Sequence, residues 1–217
     1  MSPASQTTTR TRQAKALLAG GLVLGVGAAV TLATWTDEAY VEATFGTSSF
    51  NVQVRTEESA GWVEGPADAP ARLEFAMPLA ERLTPGDTVY APVSLRTDET
   101  SVAGSVTLAG ADPLGSPTAG EQALFEALTY RVVTLPDGAS CGPDAVSAAS
   151  PDAVLVDGGL TAGSPAGAVE LGAQGAAPVD LCFAVTLPRE AGADTALQNQ
   201  QVTPVWELAA VSADPAD

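Results

Sequence analysis

Val179-Asp180-Leu181-Cys182-Phe183-Ala184-Val185-Thr186-Leu187 carries Val179, Leu181, Phe183, Val185 and Leu187 on alternate positions. A period of two marks a strand with one buried side, because successive side chains of an extended chain point opposite ways. The same alternation recurs at Leu73, Phe75 and Met77, and at Val89, Ala91, Val93 and Leu95. Further strands are expected over 50–54, 102–108, 130–135, 154–156 and 205–211. Turn formers separate them: Pro85-Gly86-Asp87, Pro113-Leu114-Gly115, Pro136-Asp137-Gly138, Asp157-Gly158-Gly159 and Pro188. Only 121–128 and 194–200 read as helical, and both are expected to be short connectors. Short strands broken by Gly and Pro predict an all-β fold, an antiparallel β-sandwich, rather than an α/β fold.

The beginning of the chain has a different character. Arg10, Arg12 and Lys15 precede an uncharged apolar run from Ala16 to Ala33. Basic-then-apolar is the order of an export signal, and it predicts a signal helix ahead of the sandwich. Eighteen residues at about 1.5 Å each span roughly 27 Å, close to a bilayer core, so the run also fits an uncleaved anchor. Four glycines and many alanines keep it only moderately apolar, and Thr31-Leu32-Ala33 has the small-x-small form of a cleavage site. The expected cut lies between Ala33 and Thr34, with Trp35 at the membrane interface beforehand. Domains are therefore expected at 1–33 (signal), 34–211 (one secreted sandwich) and 212–217 (a frayed tail). The Ala/Gly/Ser/Pro-rich stretch 140–177 is expected to be a flexible surface excursion with a short hairpin inside it.

Charge divides the chain at the same place. From Thr34 onward six arginines face all twenty-six acids, a formal net charge of −20. Such a body disfavours nucleic acid and anionic membrane surfaces, and leaves the signal as the expected membrane contact.

These segments carry a resemblance. The Gly-rich apolar run, Ala33-Thr34-Trp35-Thr36-Asp37-Glu38 and Ala43-Thr44-Phe45-Gly46-Thr47 together resemble the signal region of SipW-dependent exported proteins. That group includes the TasA-like fibre proteins and the camelysins, with many actinobacterial members. Leu83-Thr84-Pro85-Gly86-Asp87-Thr88-Val89 is similar to the group's Leu-x-Pro-Gly-Asp turn, and Thr203-Pro204-Val205-Trp206-Glu207-Leu208-Ala209-Ala210-Val211 to its final strand. The resemblance implies a jelly-roll-like sandwich and a SipW-type signal peptidase as processing partner. It also implies non-covalent assembly with itself or with sister matrix subunits. The segment from Tyr40 to Val54, with Phe45, Phe50, Val52 and Val54, would then serve as donor strand to a neighbour's sheet edge. The same segment also reads as the first strand of its own sandwich.

Cys141 and Cys182 are the only cysteines, and an oxidising exterior would join them. A redox or metal role is the rival reading; it lacks a Cys-x-x-Cys, and two thiolates without His make a poor zinc site. A disulfide here departs from the TasA pattern.

The chain has no His, and its one Lys, Lys15, lies in the signal. That removes Ser-His-Asp and Cys-His nucleophiles, Ser-Lys dyads, Schiff bases and His-ligated zinc hydrolysis. The metallopeptidase label attached to camelysins is therefore not carried over, since no His-Glu-x-x-His is present. Sortase-type cross-linking through a Lys amine is likewise excluded for the mature part. A carboxylate pair for glycoside hydrolysis is the surviving enzymatic route, and no local motif selects one. Asp144, Asp152 and Asp157 suggest calcium, yet no Asp-x-Asp-x-Asp-Gly loop holds them, and solvated loop carboxylates are the alternative. The expectation is a secreted, extracellular or cell-surface structural protein with no catalytic residue, no cofactor and no metal site. A monomeric extracellular binding module is the alternative.

Overall fold

The structure is a computed structural model and describes residues 49–59, 61–75 and 79–213. The expected signal 1–33 with its Ala33–Thr34 bond, Phe45, Met77 and residues 214–217 lie outside the described residues.

In chain order the elements are β1 (Val52–Arg55), β2 (Thr88–Thr97), β3 (Gly104–Pro113), α1 (Ala119–Ala127), β4 (Thr129–Thr134), α2 (Pro143–Ala148), β5 (Val154–Gly159), β6 (Val169–Leu171), β7 (Val179–Thr186) and β8 (Pro204–Ser212). They form two antiparallel sheets, one ordered β1-β2-β7-β4-β5 and the other β6-β3-β8. The all-β, two-sheet expectation is met.

β7 is the axis of the larger sheet. It pairs with β2 on one side and β4 on the other, so Phe183 stands beside both Ala91 and Val132. Leu181, Phe183 and Val185 point into the core with Val93 and Leu95 of the neighbouring β2 and with Val106, Leu108 and Leu171 of the other sheet. Its alternate residues Cys182 and Ala184 are buried too, at 0% and 3% exposure. The strand read as half-buried is thus covered on both faces, with α2 packed against it and β4 from outside.

The sheets meet through aromatics. Trp206 of β8 lies 5.5 Å from Phe183, edge to face, and 5.8 Å from Tyr130 of β4. Tyr130 and Phe183 are 6.4 Å apart. Offset and edge-on pairs at these separations add to the burial of the rings themselves. The Tyr130 hydroxyl donates to the Ala162 carbonyl.

That carbonyl belongs to a loop stitched to β3. Ala111 N–H donates to Leu160 O at 2.8 Å, and Ser164 N–H to Leu108 O at 2.9 Å. Ser164 Oγ accepts from Leu108 N–H at 3.0 Å. Between these bonds β3 bulges, its register shifting from Leu108 to Ala111. Gly110 there has φ +100°, and a Cβ on it would stand 2.5 Å from Thr161 O. Only glycine meets both demands.

α1 begins where the sequence can cap it. Thr118 Oγ1 accepts from Glu121 N–H at 3.3 Å, while Glu121 Oε2 accepts from Thr118 N–H at 2.7 Å, a reciprocal capping box. Phe125 is the buried residue of this helix.

Four expectations are corrected. Residues 71–75 form no strand, although Leu73 and Phe75 pack against the core. Alternation alone does not make a strand without a free ladder beside it. The β1 edge is already bonded by Val63, whose N–H donates to Val54 O at 2.9 Å and whose O accepts from Val54 N–H at 2.7 Å. The 140–177 stretch is not an excursion around a hairpin: β5 and β6 part to opposite sheets, burying Leu155, Val156, Leu160, Val169 and Leu171. The expected helix 194–200 is only a 3-10 turn at Thr195–Leu197. β8 runs one residue beyond 211, and Ala213 N–H donates to Ala103 O at 2.8 Å, so pairing enters the expected tail.

Two outcomes follow from the aromatic junction. Phe183→Ala should cost about 3–5 kcal/mol in urea unfolding, the usual result of emptying a buried aromatic site. Burial pushes the Tyr130 phenol up from 10.0 to about 12, opposed in part by the Trp206 indole. The folded state thus favours the neutral phenol. Its contribution is complete below pH 10 and is lost as pH rises toward about 12. Melting temperature followed through that window should fall less steeply in Tyr130→Phe than in the parent.

Candidate functional site

β8 is the unusual edge of this molecule. Among the described residues it pairs only with β3, leaving its other side without a ladder. An edge strand presents alternate N–H and C=O groups to any strand that arrives. Register with β3 sets Leu208 opposite Leu108 and Ala210 opposite Val106. Leu108 and Val106 are both 0% exposed. Their partners on the same inner face are not: Leu208 is half-buried, Ala210 exposed. The inner face is therefore closed under β3 and only partly closed under β8, where Leu208 packs against the core half-buried and Ala210 is exposed. Outward, Val211 is 67% exposed. β8 holds one charged residue, Glu207, in nine.

The other edges differ. β1 is bridged by Val63, β6 has three residues, and β5 ends in Asp157-Gly158-Gly159.

Three of the four expected donor residues lie within the chain's own sandwich. Val52 pairs with Thr97 and Val54 with Leu95. Phe50 sits against Gly104, where an added Cβ would stand 2.5 Å from its ring. Phe45 falls outside the described residues.

Cys141 and Cys182 are joined, their Cα atoms 5.1 Å apart and 41 residues apart in sequence. The bond ties the segment just before α2 to the outer face of β7. Among the described residues no helix is long and apolar enough to cross a membrane.

The acids distribute as follows. Asp144 lies in α2, Asp152 in the 3-10 turn after it, and Asp157 on β5 beside Arg131, with Nη1 to Oδ2 at 3.8 Å. Among the described residues no three metal-ligating side chains converge. Asp87, Asp98 and Glu121 are held below the usual carboxylate range by hydrogen bonds from Thr84, Thr100 and Thr118 respectively. All three are fixing turns or a cap. Glu57, Glu74 and Asp180 line an open groove of about 570 Å³ with Phe75 and Tyr90. Asp180 Oδ1 there already accepts from Ser94 Oγ at 2.5 Å.

Two features escaped sequence reasoning. The partly covered inner face of β8 depends on which strand lies beside it, which no local pattern encodes. The second is the stacking of Arg55 and Arg96 on Trp62, at 4.7 and 4.5 Å from the ring centre. No family model matches the chain, and no curated protein matches it either.

Replacing both cysteines by serine should cost about 4 kcal/mol, the loop-closure entropy of a segment this long. Denaturant titration of oxidised, reduced and doubly substituted protein measures it; the last two should coincide.

Proposed function

We propose that this chain is an exported, non-catalytic structural protein of the cell surface or extracellular matrix, of the SipW-dependent, TasA-like kind. It assembles without covalent links by accepting a strand at β8. The observation that carries this reading is the partly covered inner face, with Leu208 half-buried and Ala210 exposed, on a nine-residue edge with one charge. A strand laid there would pair the free backbone groups and cover apolar side chains together.

The strand orders support the finer reading as a jelly roll. That fold interleaves its strands as 2-7-4-5 on one sheet and 1-8-3-6 on the other. Here β2-β7-β4-β5 and β8-β3-β6 have those neighbours, and β1 alone departs, lying beside β2. The place beside β8 is the one an incoming strand would take. Since Val52–Arg55 is paired in its own sandwich, the donor is narrowed to residues before Ser49, around Phe45.

The disulfide supports an oxidising compartment, hence export. Processing by a SipW-type signal peptidase near Ala33 would free the donor segment. Partners are then further copies or sister subunits. The absence of Lys from the part after Thr34 keeps assembly non-covalent.

Mass spectrometry of the chain recovered from the producing culture tests export. A start near Thr34 with both cysteines joined is expected; full-length protein kept in the cytosol with free thiols overturns it. Electron microscopy over days tests assembly, with fibres expected and persistent monomers counting against it. Ala210→Lys places a charge on the inner face of the edge and should stop growth while leaving the melting temperature nearly unchanged.

A further inference from the structure

The two stacked arginines sit on the outer face of the five-stranded sheet. β1 sets Arg55 beside Ser94 and Gln53 beside Arg96, so the arginines are diagonal neighbours on that face. The Val54–Val63 bridge brings the next segment alongside, and Trp62 covers both guanidinium groups. Arg55 Nη2 donates to Ser94 Oγ at 3.2 Å, and Arg96 Nε to Gln53 Oε1 at 3.0 Å. Asn51 Nδ2 donates to Glu64 Oε1 at 2.5 Å at the margin of the patch.

Acids outnumber arginines twenty-six to six beyond the leader. Even so, the only ion pair among the described residues is Arg131 with Asp157. Arg55 and Arg96 are paired with an indole instead of a carboxylate. Stacking engages the flat faces of a guanidinium and leaves its in-plane N–H groups free. Each arginine has five such donors, of which one is used here. Two forks are thus held in place, by ring and by neighbour, with most donors unspent. Arg55 is exposed and Trp62 partly so.

We infer that this patch binds a polysaccharide bearing carboxylates, a uronate polymer. Bidentate pairing with a carboxylate is what a fixed guanidinium recognises best. An indole offers a flat apolar surface to the C–H side of a sugar ring. Asn51, Gln53 and Glu64 supply the mixed donors and acceptors that hydroxyl groups need. The indole decides between a glycan and an acidic peptide: its flat face suits a sugar ring, while Glu64, engaged by Asn51, opposes any anion alike. A thin polymer also meets little of the acidic body at physiological salt, where charges are screened beyond about 8 Å. The inference stands apart from strand addition at β8, which lies on the other sheet.

The test is calorimetric titration of the purified chain with polygalacturonate, neutral dextran and polyglutamate. Polygalacturonate should bind, more weakly as salt rises, and dextran should not. Arg55→Gln with Arg96→Gln should weaken binding by about ten-fold or more, the loss expected for charged hydrogen bonds. Trp62→Ala should weaken it comparably. Arg72→Gln with Arg189→Gln removes the same charge elsewhere and should leave affinity unchanged. If the double glutamine variant fails to fold, Arg55→Lys with Arg96→Lys keeps the charge, loses the flat forks and should still bind more weakly. No binding of polygalacturonate, or equal loss in the Arg72/Arg189 variant, overturns the site. Binding of polyglutamate as tight as polygalacturonate overturns the polysaccharide assignment in favour of an acidic protein segment.

Discussion

The rest of the structure depends on one contact, the meeting of Tyr130, Phe183 and Trp206 between the sheets. Aromatics are scarce here, at 5% of residues, and the other core residues are mostly Val, Leu and Ala. Small side chains fill volume between strands within a sheet but span the gap between sheets poorly. Sheets packed face to face sit about 10 Å apart. Three rings from three strands bridge that distance at a single place. The same place fixes the loop after β5, because Tyr130 donates to Ala162 O there. The β3 bulge lies one step away, since Trp206 pairs with Ala111 just past the register shift. Ring packing, bulge and loop seam are thus one construction.

A net charge of −20 over the part after Thr34 makes the cohesive force necessarily apolar. Ion pairing contributes little, with one pair between exposed groups 3.8 Å apart among the described residues. Several carboxylates are instead used locally, as acceptors that close a turn or cap a helix: Asp87 for Thr84, Asp98 for Thr100, Glu121 for Thr118. Such bonds favour the charged form and place it in solvent, where repulsion is best screened. For association between like-charged copies, backbone pairing with apolar cover acts at short range and is insensitive to the net field. The β8 edge has that character.

Much of the fold was legible in the sequence, for identifiable reasons. β2 and β7 alternate without interruption, and their inner faces are the ones read: Val89, Ala91, Val93 and Leu95 opposite Leu181, Phe183 and Val185. α1 was read at 121–128, two residues late at its start; the capping box of Thr118 and Glu121 marks where it begins. What failed was whatever depends on neighbours. Leu73 and Phe75 alternate like a strand, but Val63 already holds the adjoining edge. The 140–177 stretch is compositionally loop-like, yet its few large residues, Leu155, Val156, Leu160, Val169 and Leu171, are spaced to reach both sheets. The disulfide was legible because only two cysteines exist. The arginine–tryptophan stack was not, since Trp62 reaches Arg55 and Arg96 only through the Val54–Val63 bridge and the β1–β2 register.

The treatment of edges is the part of this architecture with a functional slant. A sheet edge invites pairing, and proteins that must stay apart shorten, twist, charge or cover it. Three edges here receive such treatment: β1 is covered by Val63, β6 is reduced to three residues, and β5 runs out into Asp157-Gly158-Gly159. Among the described residues β8 receives none of it over nine residues except Glu207 and the initial Pro204. It also lacks an inward-pointing charge, another such deterrent, at Leu208, Ala210 or Ser212. Nor is it a strand the fold neglects, because Trp206, which anchors the two sheets together, lies on it. The strand that can least afford displacement by a stray partner is the one left most available to a partner. That combination supports the proposal that β8 receives an incoming strand.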